Sequence, residues 1–438
     1  MFDVVIKNAK LFLEGKVQEA ELAITDGRIT KIAKDIGGDN ILDAHGSLVL
    51  PGVIDVHVHF RDPGMTHKED WYSGSCAAAA GGVTTVIDHP NTVPPTTTLK
   101  SFEVKLNAAK KSIVDFGINA GVVDGAELEA LWKAGITAFG EIYMAESMGK
   151  MCVDDDALSN ALKTIAQLDG IACIHAEDER IIKERTEKLM NKTDPSAYSS
   201  SRPNESEANA ITKATESAST AECKLHICHI STKEGLRLLE KNVTCEVTPH
   251  HLFFTEKDWD RLGTLGKVNP PLRSEGDRQA LWAGLNRIDM IASDHAPHAL
   301  EEKEQDIWSA PPGVPGVETS LPLMLHAVKA GHISLQCLVE RMAINPARVF
   351  GLNGKGDIKV GNDADLVFVD FKNVTPIKAD DMHSKAGWTP FEGMDAIFPK
   401  MTMIRGGIVF DGEVVGEKGY GRFIPGEGAT NLYINEGK

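Results

Sequence analysis

Six side chains in this sequence have the types and the spacing to hold a metal centre. His57 and His59, in VIDVHVHFRDPG (53–64), stand one residue apart on an apolar run. Strand alternation puts both imidazoles on one face, where a single ion can take both. Further candidates close other apolar runs: His175 in GIACIHAED, His229 in KLHICHIS, Asp294 in DMIASDHAP, and Glu141 in AFGEIYM. A pair of satisfied core histidines would account for His-x-His alone, but not for imidazoles and carboxylates recurring where successive runs end. Nitrogen and oxygen donors without a thiolate suit Zn²⁺, with Mn²⁺ or Co²⁺ as substitutes. Cys228 adjoins His229 but by alternation points the other way. A centre of this kind lowers the pKa of water and acts as a Lewis acid.

Bringing six such residues together requires elements whose ends converge. From VTTVIDH (83–89) onward, short apolar runs alternate with helical stretches near 99–111 and 125–134, and the series continues through 170–178, 224–231, 243–251 and 289–297. Strand and helix alternation over about 300 residues predicts an α/β fold, a (β/α)8 TIM-like barrel whose strand C-termini carry the chemistry. Residues 3–49 instead alternate apolar and polar positions between turn signals such as Asp26-Gly27, and 363–370 and 401–413 repeat that style. The expected organisation is residues 1–50 and 351–438 as the two parts of a small discontinuous β-sandwich domain, the latter with a tail, around a catalytic barrel at 51–350.

Composition narrows the function classes. The 438 residues carry 46 Lys and Arg against 63 Asp and Glu, a net charge of −17, which argues against a nucleic-acid or anionic-membrane surface. Hydrophobic residues at 42% supply a large core and exclude a wholly disordered chain. The start, MFDVVIKNAKLFLEG, reads as a strand rather than a secretory leader, because Lys7 and Lys10 interrupt its apolar stretch. No apolar run approaches the roughly 20 residues that span a bilayer. Seven scattered cysteines without CxxC spacing fit a reducing compartment, so a cytoplasmic location is expected.

Taken together, VHVHFRDPGMTHKED, HPNTVPPT, IHAEDE, HICHIST, VTPHHL, VNPPLR, SDHAPHALEEKE and PPGVPGVETSLPLML resemble the dihydroorotases of the cyclic-amidohydrolase superfamily. The resemblance runs from about residue 3 to residue 413 and includes GDIKVGNDADLVFVD and SKAGWTPFEG. SDHAPH discriminates most, since allantoinases, hydantoinases and dihydropyrimidinases resemble it but usually lack the second histidine. The resemblance implies reversible hydrolysis of the cyclic amide of (S)-dihydroorotate to N-carbamoyl-L-aspartate, a step of pyrimidine biosynthesis, with one or two Zn²⁺ per subunit. It also implies a homo-oligomer and leaves association with an aspartate transcarbamoylase open. The alternatives are an allantoinase- or hydantoinase-type cyclic amidase, or a non-catalytic scaffold related to dihydroorotase.

By the family pattern His57 and His59 hold the more buried metal with Asp294, and His175 and His229 hold the second. Asp294 would take the proton of the attacking water and hand it to the amide nitrogen. Where hydantoinases and some dihydroorotases carry a bridging carboxylated lysine, this sequence has Glu141, which could bridge directly as a carboxylate. Arg61, Asn91 and His298 match positions that bind the substrate's ring carboxylate, for which a guanidinium fork is suited. Asn269 matches a substrate-contacting position, although a loop cap explains it nearly as well. His89 stands where relatives often have methionine, and His250 and His251 receive no ligand role. PPGVPGVE (311–318) is expected as a loop beside the site, and LEEKEQD (300–306) as a solvated helix or loop.

Overall fold

A computed structural model of the chain describes residues 2–147 and 151–430. Its first five strands are β1 (Val4–Leu13), β2 (Lys16–Thr25), β3 (Arg28–Ala33), β4 (Ile41–Asp43) and β5 (Leu48–Pro51). β1, β2 and β3 form an antiparallel meander. The turn from β2 to β3 places Asp26 and Gly27 at φ 50° and 75°, the mirror-image turn that matches the twist of paired strands. β4 and β5 lie parallel to β1, against its first and second halves.

Eight further strands follow: β6 (Val53–Val58), β7 (Val83–Asp88), β8 (Asp115–Ile118), β9 (Phe139–Tyr143), β10 (Ile171–His175), β11 (Lys224–Ile227), β12 (Val243–Val247) and β13 (Met290–Ile291). They pair in parallel as β6-β7-β8 and as β9-β10-β11-β12-β13. Parallel bridges Ala120↔Phe139 and Val58↔His295 close both seams, and His59 N–H donates to the His295 carbonyl at 2.8 Å. The result is a closed (β/α)8 barrel. Strands such as β6 and β7 are buried along their whole length, as covered parallel strands must be. Helices begin where side chains cap them: Asp70 accepts from the N–H groups of Tyr72 and Ser73, and Thr98, Asp154, Asp178, Thr232 and Ser274 cap later helices in the same way. The helices at Leu99–Ala109 and Leu128–Ala134 stand where alternation predicted them.

The chain then returns. β14 (Leu366–Val369) pairs antiparallel with β5; β15 (Thr375–Pro376) and β16 (Asp395–Ala396) make a small ribbon; β17 (Pro399–Ile404) and β18 (Gly407–Asp411) complete the large sheet. Strands from both ends of the chain thus form one mixed eight-stranded sheet, ordered β18-β17-β14-β5-β1-β2-β3 with β4 beside β1. Ile6, Leu11, Leu22, Ile24, Val49, Leu366 and Phe368 are its core. A β-sandwich is expected of the two terminal parts; the strands they contribute pair in this one sheet, and two segments pack elsewhere. Residues 377–398 pack Ile377, Trp388 and Phe391 against Phe254 and Val314 of the barrel loops. Residues after β18 run back over the barrel, where Gly421 N–H bonds the Ser112 carbonyl and Gly426 N–H the Gly135 carbonyl. Residues 431–438 of the expected tail lie outside the described residues.

Candidate active site

Strand order delivers the candidate residues to one end of the barrel. His57 belongs to β6 and His59 follows it; Glu141 sits in β9, His175 ends β10, His229 follows β11 and Asp294 follows β13. All six are buried. Glu141 stands at their centre: Oε1 lies 3.1 Å from His175 Nδ1 and 2.8 Å from His229 Nε2, and Oε2 lies 3.5 Å from His57 Nε2 and 3.7 Å from His59 Nε2. Asp294 Oδ1 lies 3.1 Å from His59 Nε2 and 3.5 Å from His57 Nε2. Burial alone would raise the Glu141 carboxyl, but His57, with hydrogen bonds from His175 and His229, holds it well below the carboxylate range. Asp294 is likewise brought to about 2, its burial outweighed by His57 and His59.

The donor set fits a divalent cation. His57, His59 and Asp294 present one ligand atom each within 4.8 Å of one another, as do His57, Glu141 and His229. His57 Nε2, aimed at both carboxylates, is buried with no hydrogen-bond partner. Such an orphan is what an imidazole awaiting a metal presents. The far sides of three of the rings are held as metal-ligating histidines require, while His229 Nδ1 is buried without a partner among the described residues. His57 Nδ1 bonds Glu246, which also accepts from His226; His175 Nε2 lies 2.9 Å from Glu177; and His59 Nδ1 lies 2.7 Å from Asn91 Oδ1. Another acidic group, Asp115, Asp363 and Asp365, is filled by the Lys355 ammonium at 2.6, 3.0 and 2.7 Å.

Beside these candidate ligands is a cavity that Arg61, Asn91, Tyr143, Ser147, Asn269 and the loop residues Pro312 and Gly313 line. Arg61 is buried and donates Nε–H to the Pro297 carbonyl at 3.2 Å. His298 stands behind Arg61 rather than in the cavity wall, its Nε2 3.3 Å from the guanidinium. Lys68 donates to His298 Nδ1 at 3.0 Å, so Nε2 carries the proton and donates to the Pro312 carbonyl at 2.9 Å. His89 stacks on His57, ring centroids 4.0 Å apart, and belongs to neither ligand group. Burial, and then the charge of His57, push its pKa far down. His251 braces the loop ahead of the barrel's last strand through Thr248 and the Pro270 carbonyl, while burial takes His250 down to about 4. The 300–306 run is not wholly solvated, because Lys303 is buried and donates to the carbonyls of Lys267, Pro311 and Gly313 at 3.1, 3.0 and 2.9 Å.

Sequence reasoning missed Glu177, Glu246, Tyr143, Tyr198 and Arg202. Alternation could have found the first three: Tyr143 is two residues after Glu141, Glu177 two after His175, and Glu246 is a lone acid inside the apolar strand VTCEV. Tyr198 and Arg202 carry no such signal.

Comparison with known proteins decides the family. A model described as the Amidohydrolase family matches residues 48–409. The dihydroorotase of Methanosarcina mazei is 51% identical over 98% of this chain and 99% of its own length, and that of Methanosarcina acetivorans is 50% identical over 98% and 96%. The chain belongs to the amidohydrolase family, among its dihydroorotases. Amidohydrolases of solved structure share the whole architecture: the L-hydantoinase (dihydropyrimidinase) of Arthrobacter aurescens superposes with a TM-score of 0.94 at 36% identity, covering 97% of this chain and 100% of that one. A D-hydantoinase gives 0.90 at 30% identity, covering 96% and 98%. Hydantoinases therefore share the fold, while the sequence relatives carry the dihydroorotase name.

Proposed function

We propose that this amidohydrolase opens and closes the ring of (S)-dihydroorotate, with N-carbamoyl-L-aspartate as the open form. The observation that carries the reading is the wall of the cavity. Arg61 and Asn91 line it next to the metal-binding groups, and they offer an anion a guanidinium and an amide N–H. Asn91 gives its oxygen to His59, which leaves its nitrogen as the donor. Dihydroorotate carries a ring carboxylate that hydantoin and dihydrouracil lack, and a guanidinium grips such a group through two parallel bonds. His298, packed on Arg61 and holding the Pro312 carbonyl, would bear on that carboxylate from behind.

The reading includes Zn²⁺, one or two per subunit, which His57, His59 and Asp294, with His175, His229 and Glu141, would hold. Metal held there supplies Lewis acidity to the scissile amide and to water. Asp294 accepts the proton of the attacking water and returns it to the ring nitrogen as the C–N bond breaks; in the reverse direction it takes that proton from the carbamoyl nitrogen. Its depressed pKa keeps it ionised at neutral pH. Arg61, Asn91 and Asn269 orient the ring so that the amide carbon faces the ligands.

A homo-oligomeric, cytoplasmic enzyme completes the proposal. All seven cysteines are free, and no helix among the described residues is long and apolar enough to cross a membrane. An aspartate transcarbamoylase, which makes N-carbamoyl-aspartate, is the partner whose product this site would consume. The test is ring opening of L-dihydroorotate before and after chelation. Loss of turnover on chelation and its return with zinc is expected; turnover that survives complete metal removal would overturn the metal-dependent reading.

A further inference from the structure

Asn269 lines the cavity, and an amide side chain can face a substrate with either its oxygen or its nitrogen. Two buried residues remove that choice. The Tyr198 hydroxyl lies 2.6 Å and Arg202 Nε lies 3.1 Å from the same atom, Asn269 Oδ1. A guanidinium can only donate, so the amide atom facing Arg202 must be oxygen. The nitrogen is turned the other way, where Ser147 Oγ accepts one N–H at 3.1 Å and the second has no partner among the described residues. The oxygen is held by side chains and not by backbone N–H groups of its own loop, which is not how a loop cap bonds.

The clamp is itself fixed. The ring of Tyr198 lies under the Lys267 ammonium, 4.4 Å from the ring centroid, and Lys267 donates to the carbonyls of Ile307 and Trp308. Arg202 reaches the Glu146 carbonyl at 3.2 Å and Glu177 at 3.4 Å, and Glu177 is the carboxylate bonded to His175. Burial raises the Tyr198 phenol, so it remains a donor at neutral pH. One buried chain thus runs from a candidate metal ligand to the amide that faces the ring.

We propose that Tyr198 and Arg202 are positioning residues that lock Asn269 as a hydrogen-bond donor, so that the site accepts only a ring presenting an acceptor, a carbonyl oxygen, to that wall. Asn91, its oxygen given to His59, is locked in the same sense. Both amides then donate, and a ring turned to present N–H at either would meet no acceptor. Leaving a buried polar group unmatched is costly enough to reject the wrong orientation.

The proposal rests on the ring-opening reading above, and a double-mutant cycle on the metal-replete protein separates the two. Tyr198→Phe keeps the ring under Lys267 and removes only the hydroxyl. It is expected to raise KM for L-dihydroorotate about fivefold to tenfold, the effect of one lost hydrogen bond, with metal content unchanged and kcat less affected than KM. Asn269→Ala is expected to raise KM at least as far, and adding Tyr198→Phe to it should have no further effect, because the two act through one group. Arg202→Lys, which loses the Nε contact but keeps the charge, should move KM in the same direction. A Tyr198→Phe effect of equal size with and without Asn269, or a fall in kcat at constant KM, would overturn the proposal. If the wild-type protein opens only a hydantoin, the dihydroorotate reading fails and the cycle is read on that ring; if it opens none, both readings fall.

Discussion

At the scale of single residues, Glu141 divides its work between two oxygens. Oε1 addresses His175 and His229, and Oε2 addresses His57, His59 and the Tyr143 hydroxyl, which donates to it at 2.7 Å. A short carboxylate can face both candidate ligand groups because the barrel brings them this close. Glu141→Ala should therefore lower bound metal in the purified protein, and elemental analysis showing unchanged content would remove Glu141 from the ligand set. Glu246→Gln keeps the shape but weakens the acceptor that orients His57. Zinc affinity measured by competition should fall by about 10–100-fold, the usual effect of disturbing such a partner, and a wild-type affinity would contradict that role. For Arg61→Lys the expectation is a rise in KM for dihydroorotate of about tenfold or more, since an ammonium cannot reproduce the fork. Ligand candidates were legible in the sequence because they sit in short strand-end motifs. Tyr198 and Arg202 were not, because what makes them matter is an approach to Asn269 across about 70 residues of chain.

Single elements show where local pattern suffices and where packing takes over. β9 places Glu141 by running so close to β10 that a Cβ on Gly140, whose φ is 148°, would strike the Cys173 carbonyl. Gly140→Ala must push the two strands apart, and because the obstacle is backbone it cannot swing aside. The expected outcome is a lowered melting temperature together with reduced metal content; a variant with wild-type metal content and stability would show that β9 has room to spare. The strand and helix alternation of the barrel was readable, since each strand is a short apolar run and several of the helices start at a capping Asp, Ser or Thr. The 300–306 run looked solvated because charge pattern alone does not tell that three carbonyls surround Lys303 Nζ. The placement of 377–398 over the barrel loops was hidden likewise, for it depends on Trp388 donating to the His298 carbonyl and Lys385 pairing with Asp70.

On the scale of the whole molecule, a buried charge knot ties the terminal sheet to the barrel. Lys355 bonds Asp115 of β8 and Asp365 beside β14, and Arg405 adds a second cation on Asp115. With Lys355, Asp115 and Asp365 all buried, the loss of one leaves the others uncompensated. Lys355→Met should destabilise the protein by about 3–5 kcal/mol in denaturant unfolding, and a loss below about 1 kcal/mol would mean that apolar contacts alone hold the two units. The sequence indicated that both ends share one sheet, through the return of alternation at 363–370 and 401–413. It did not indicate this knot, whose partners are about 240 residues apart.

On the proposed function, the cavity beside the candidate metal-binding groups takes a ring bearing a carboxylate. The most direct test is turnover by the purified, metal-replete protein on L-dihydroorotate, allantoin and dihydrouracil in parallel. Turnover confined to dihydroorotate is predicted. Opening of allantoin or dihydrouracil at comparable kcat/KM would contradict the assignment of Arg61 and Asn91, and no turnover of any of the three would contradict catalysis at this site.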